Sequence, residues 1–93
     1  MALLMSYYQS QYEITIPNCY WKVEVDNGIR GGKEKLQVRI NCFKNKAIAD
    51  TNQNKYMDYD FEFVPDLNSG INFIAQAYSY AKTLSFFATA VDA

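Results

Sequence analysis

The chain contains no histidine, an absence that constrains its chemistry more than any residue it has. Histidine is the usual general base near neutral pH and the commonest metal ligand, so both roles lose their normal agent. Cysteine is scarce as well. Cys19 and Cys42 are the only two, too few for a disulfide scaffold, which makes a reducing compartment the default. Nine basic residues nearly balance ten acidic ones, which argues against general binding to nucleic acid or to a membrane surface. No apolar run approaches the roughly 20 residues of a helical membrane span. Met1-Ala2-Leu3-Leu4-Met5 is apolar but lacks a basic flank and is too short for a signal peptide. Residues 1–10 are expected to be an arm, either docking or frayed, ahead of a single compact domain at 11–93.

What is present is hydrophobic and aromatic. Apolar residues make up 49% of the 93, and eight Tyr, six Phe and one Trp supply the rings. A chain of this size forms one domain and buries roughly 60–70% of its unfolded surface. The tyrosine excess points to aromatic area on a surface or an interface.

Four alternating segments precede a helical one. Tyr12, Ile14 and Ile16 alternate with Glu13 and Thr15 as a short strand. Pro17-Asn18 then makes either a tight turn or a bend within one longer strand. Cys19, Trp21, Val23 and Val25 share a face opposite Tyr20, Lys22, Glu24 and Asp26. Asn27–Gly32 holds three of the four glycines and is expected to turn. Leu36, Val38, Ile40 and Cys42 then oppose Gln37, Arg39, Asn41 and Phe43, and a polar loop covers Asn45 to Asn54. Last, Met57, Tyr59, Phe61 and Phe63 alternate with Asp58, Asp60 and Glu62.

Folding these strands about their turns pairs like with like, which is a test of register. Strands two and three set Cys19 against Cys42, Trp21 against Ile40, Val23 against Val38 and Val25 against Leu36. Strands three and four set Cys42 against Met57, Ile40 against Tyr59, Val38 against Phe61 and Leu36 against Phe63. Lys22, Arg39 and Asp60 then fall in one row on the opposite, wet face. The expectation is an α+β fold: a four-stranded antiparallel meander under one long C-terminal helix and a short terminal helix. Asn68 or Ser69 caps the long helix, whose stripe Ile71, Ile74, Ala77, Tyr78 and Ala81 would face the sheet. Thr83-Leu84-Ser85 breaks the pattern, and Ser85 would cap the short helix carrying Phe86, Phe87 and Val91.

The candidate chemical motifs are weak. Gly28-Ile29-Arg30-Gly31-Gly32-Lys33 resembles a phosphate loop, but Glu34 follows the lysine and a strand follows the turn. Asp58, Asp60 and Glu62 stand on one strand face, as a hard-metal or acid–base site requires. With Lys22 and Arg39 alongside and no Asp/Gly loop, a cross-strand charge ladder is the better reading. Lys33, Lys35, Arg39, Lys44 and Lys46 with Tyr20 and Phe43 suggest a single-strand nucleic-acid platform, opposed by the acidic fourth strand. Cys19 and Cys42 are expected as neighbours across a strand pair, where a disulfide is geometrically conceivable, but no flanking group activates either thiol and two buried free thiols is the better reading. No nucleophile–base pair is identifiable, so no catalytic, cofactor or metal residue is assigned.

Ile16, Asn18 and Tyr20; Gly32, Lys33 and Glu34; Gln76, Ala77, Tyr78, Tyr80, Lys82, Thr83 and Leu84; then Phe87, Ala90, Val91 and Asp92 form a set of short motifs along the chain. In these residues the chain resembles small structural proteins of tailed bacteriophages and prophages. The likeness departs at Ser85, where proline would be expected to open the short helix. The resemblance implies a non-enzymatic virion component of the tail, baseplate or fibre attachment, made in the bacterial host cytoplasm. Its partners would be other virion proteins and further copies of itself in a ring or fibre, with no nucleic acid and no membrane. Candidate interface residues are the aromatics the core does not need: Tyr7, Tyr8, Tyr20, Phe43, Phe73, Tyr80 and Phe86. The alternative is a small monomeric regulatory module that binds a ligand or partner on the open sheet face around Tyr20, Arg39 and Phe43.

Overall fold

The computed structural model describes residues 1–24, 28–32 and 34–93. Its elements run β1 (Leu3–Gln9), β2 (Ile14–Val23), β3 (Ile29–Gly31), β4 (Leu36–Phe43), α1 (Lys46–Ala49), β5 (Met57–Phe63), α2 (Phe73–Ala81) and β6 (Val91–Asp92). A 3₁₀ turn at Ser85–Phe87 precedes β6. The fold is α+β with an antiparallel sheet, as expected, but the sheet has six strands rather than four.

β4 lies at the centre. Along one side runs β5, in the expected register from Leu36 opposite Phe63 to Cys42 opposite Met57. The other side is shared end to end: β2 sets Trp21 against Cys42 and Val23 against Ile40, and β3 sets Ile29 against Val38. The expectation had Trp21 opposite Ile40, so the observed register has slipped by two residues. A slip of two keeps every side chain on its face, which is why alternation could not distinguish the pairings. The chain turns later than expected, between Gly31 and Leu36, where the Gly32 amide donates to the Lys35 carbonyl at 3.1 Å, and most of that delay is taken up before β3, since Val23 and Ile29, six residues apart, stand opposite Ile40 and Val38, two apart. Gly31 stands at φ +120, and a Cβ there would lie 2.4 Å from the Lys35 oxygen, so glycine is required. The expected pairing of Val25 with Leu36, and the places given to Asp26, Asn27 and Lys33, lie outside the described residues.

The stretch expected as an arm is a strand of the sheet. β1 pairs with β2, Leu3 opposite Trp21 and Met5 opposite Cys19, and Ala2, Leu3 and Met5 are buried. Leu3 and Met5 extend the apolar face beyond Trp21, which would otherwise sit at the sheet's edge. Between Met5 and Tyr7 on β1, three residues of β2 are spanned instead of two, a β-bulge with Asn18 at φ +52. Pro17-Asn18 is therefore the bend within one strand, not a turn. Tyr12, expected in the first strand, lies in the tight connection before Ile14.

The apolar face carries Trp21, Ile40, Cys19, Cys42 and Leu3, all fully buried. Burying a large apolar side chain is worth about 1.5–3 kcal/mol. α2 covers this face through Ala77, Tyr78 and Ala81, and the 3₁₀ turn inserts Phe87. Ile71 and Ile74, expected in the same stripe, are 56% and 50% exposed. The helix starts later than expected, capped by Asn72, whose Oδ1 accepts from the Ala75 amide at 2.7 Å. Its last two turns meet the sheet, and Ile74 on the first turn does not. Asn68 and Ser69 belong to the preceding loop, and Ser69 Oγ accepts from the Ile71 amide. Ser85 is the first residue of the 3₁₀ turn rather than its cap, and Val91 is in β6 rather than in a helix.

Within the expected polar loop, Asn45 caps α1 by accepting from the Ile48 amide at 2.9 Å. α1 contacts β4 and β2 and buries Ala49. Phe43, expected on an open face, is 1% exposed and packs apart from the main core.

Candidate interaction surface

The second sheet face carries ionic pairs where β4 meets β5. The Arg39 guanidinium donates to both oxygens of Asp60, at 2.9 and 3.2 Å. Lys35 reaches Glu62 at 2.8 Å, and Lys55 reaches Asp58 at 2.9 Å. The hydrogen bond from Arg39 holds Asp60 below the usual carboxylate range, and Lys35 does the same for Glu62. This is the charge ladder expected from sequence, with Lys22 displaced from its row to a place opposite Asn41. Each carboxylate on β5 thus has a cation from its own chain, which satisfies it without a metal. Three members of the basic run pair with carboxylates: Arg39 with Asp60 and Glu24, Lys35 with Glu62, and Lys46 with Asp50, while Lys33 lies outside the described residues. With Phe43 buried and Tyr20 half-buried, no stacking platform is assembled there.

Cys19 and Cys42 are free and fully buried. Burial pushes both thiols up, and at Cys42 the neighbouring Cys19 adds to the rise. Thiols so placed are poor nucleophiles at neutral pH.

The C-terminal motif resolves into packing devices. Gln76 accepts from the Asp66 amide at 2.7 Å and donates to the carbonyls of Asp66 and Ile71, tying the loop before α2 to the helix. Ala77 and Ala81 let the helix approach the sheet closely. The Tyr78 hydroxyl accepts from the Val23 amide at 2.7 Å. That amide lies past Trp21, the last β2 residue that β1 pairs, so a side chain replaces the missing strand. Burial pushes the Tyr78 phenol up to about 12. Lys82 pairs with Asp92 at 2.9 Å, fastening β6 to the end of α2.

The expected interface aromatics divide into three groups. Tyr7, Tyr80 and Phe86 edge the core: Tyr7 stacks on Tyr56, Tyr80 on Phe61 and Phe63, and Phe86 on Tyr59 at 4.2 Å. Phe43 is buried and Tyr20, opposite it, half-buried. Tyr8 and Phe73 remain, 57% and 41% exposed, stacked on no ring among the described residues. The structure does not bring the seven together.

Two exposed apolar regions stand at opposite ends of β2, a strand roughly 30 Å long. At one end the β1–β2 hairpin shows Tyr8, Tyr12 and Ile14. At the other, Ile74 shares a depression of about 430 Å³ with Val23 and Tyr78. Val64, Leu67 and Ile71 are more than half exposed beyond it. Sequence reading assigns Ile71 and Ile74 to the core and passes over Val64 and Leu67. The signal that could have found them is Asn72, a cap as good as Asn68, which excludes Ile71 from the helix. No helix of the described residues is long and apolar enough to cross a membrane. Comparison with protein-family models, with curated proteins and with solved structures finds no match for this chain.

Proposed function

We propose that this chain is a non-enzymatic assembly protein of a tailed-bacteriophage virion, associated with the tail, baseplate or fibre attachment. It works through protein–protein contacts, with other virion proteins and with copies of itself. The observation that carries the assembly reading is the pair of exposed apolar regions at the two ends of β2. A monomer has reason to cover such side chains, whereas a component with neighbours on two sides uses them. The virion assignment rests on the resemblance of Gln76–Leu84 and Phe87–Asp92 to phage structural proteins. The alternative module, binding through Tyr20, Arg39 and Phe43, is less favoured, because Phe43 is buried and Arg39 is engaged by Asp60.

The test is mass spectrometry of gradient-purified particles from the source culture, searching for the tryptic peptide after Lys82, TLSFFATAVDA. The reading expects the peptide at a fixed ratio to a major particle protein. A protein abundant in the lysate and missing from particles would overturn it.

A further inference from the structure

We propose that the outer edge of β1, from Met5 to Gln9, pairs antiparallel with the same edge of a second copy of this chain, joining two sheets across a two-fold axis near Tyr7 and Tyr8. This deepens the assembly reading and rests on it. β6 pairs with β1 only at Leu3 and Leu4, and the chain before β6 curls into the 3₁₀ turn. Among the described residues nothing pairs with the outer side of β1 beyond that point. Five residues of open edge span about 16 Å, near the usual length of a paired strand.

Natural edges are ordinarily blunted by lysine, proline, bulges or inward charge. β1 has none of these: Leu3–Gln9 holds no charged residue and no proline, and the bulge lies in β2. The contrast is with β5, on the opposite side of the sheet, where a two-fold pairing would bring Asp58, Asp60 and Glu62 of two copies together. The uncharged edge tolerates its own image and the acidic edge does not, which gives a closed dimer rather than a running sheet.

The apolar face next to the edge has room for the side chains of an added strand. A groove of about 370 Å³ lies over the apolar face against Met5–Tyr8, with Trp21, Met57 and Phe86 in its wall. In strand addition the main chain supplies hydrogen bonds and alternate side chains enter such a groove. Tyr7 stands on the groove face of β1, edge-on to Trp21. Two-fold pairing places Tyr7 of the second copy over the same aromatic wall, while Tyr8, half exposed in one copy, meets the second strand on the other face.

The experiment is analytical ultracentrifugation of the full chain and of Tyr8→Lys from about 1 to about 100 µM, with hydrogen exchange read at the Ser6 and Tyr8 amides. Tyr8 is exposed, so the variant keeps the fold, which its circular dichroism and unfolding midpoint verify. The proposal expects a dimer whose Ser6 and Tyr8 amides gain protection with concentration, and about tenfold or greater weakening in Tyr8→Lys. A monomer throughout the range overturns it. So does a dimer unaffected by Tyr8→Lys, or one whose β1 amides gain no protection, which would place the contact elsewhere. A chain that is monomeric in solution yet present in particles at fixed ratio would sink this interface and leave the assembly role standing. Absence from particles with an intact β1 dimer would do the reverse.

Discussion

Replacing Tyr78 by Phe removes one oxygen and should be felt across the sheet. The Tyr78 hydroxyl is the acceptor for the Val23 amide, 2.7 Å away, and both residues are buried. Phenylalanine fills the same space and leaves the amide without a partner, a loss worth about 1–3 kcal/mol at neutral pH. Alkali supplies a second, independent signature. The phenol titrates near 12 when folded, against 10 for an ordinary tyrosine, because burial disfavours the phenolate. A raised folded-state pKa contributes stability that is complete below the unfolded value and is lost as pH rises through the folded one. At about pH 11 the wild-type chain should have lost about 1.4 kcal/mol on account of this group, a loss the phenylalanine variant cannot suffer. Urea unfolding of both proteins at about pH 7 and about pH 11 gives the two gaps. The variant should be clearly weaker at neutral pH, and the gap should narrow in alkali. Equal stability at neutral pH would mean that Val23 finds another acceptor. A gap that stays constant would mean that Tyr78 does not hold its proton as its burial implies.

Three further outcomes follow from the packing. Gly31→Ala should destabilise the domain by about 1–3 kcal/mol in denaturant titration, since φ +120 and the nearby Lys35 carbonyl both exclude a Cβ; a neutral result would move the chain reversal away from Gly31. Trp21→Phe should cost about 2–4 kcal/mol by the same assay, because the indole fills the core and its Nε1 donates to the Met5 carbonyl at 3.0 Å; a loss well under 1 kcal/mol would contradict that placement. Asp60 and Glu62 have lowered folded-state pKa values, so their contribution is present above the ordinary carboxylate range and lost as pH falls below that range through the folded-state values. Acid titration of the unfolding midpoint should therefore be shallower in Asp60→Asn, and added salt should flatten the wild-type curve; identical curves would mean the ladder carries no net coupling.

The parts of the fold legible in the sequence are those with strict alternation. β4 and β5 alternate over seven or more residues each, and their register emerges residue for residue. The expected register between β2 and β4 is off by two, because period-two alternation is blind to an even slip, and the turn after Gly31 together with the extra residues between Val23 and Ile29 decides it. β1 is hidden by its sequence. Leu3-Leu4-Met5 is a continuous apolar run with no alternation, and its place at the terminus suggests fraying. α1 has four residues, too few for a period, and its one signal is the cap Asn45. The charge ladder is readable because both of its strands are. The exposed apolar regions are not, since an isoleucine on a helix looks the same whether the helix ends over the sheet or beyond it.

That last ambiguity bears on what the resemblance can mean. Gln76 closes a loop, Ala77 allows close approach, Tyr78 satisfies a strand amide, and Lys82 with Asp92 fastens β6. Together they hold α2 and the C-terminus onto the sheet. Tyr8, Tyr12, Ile14, Val64 and Ile71, which face outward, are not among the matching residues. A likeness made of scaffold contacts bears on how this end of the chain folds and leaves its neighbours open. The contacts of the proposed assembly are to be sought where the motif is silent, on the uncharged edge of β1 and at the apolar end of α2. The edge supplies backbone donors and acceptors that demand a strand, whereas the helix end supplies only apolar area and accepts many shapes. Of the two surfaces, β1 is therefore the more selective, and the pairing proposed there is the one that substitution at Tyr8 should test first.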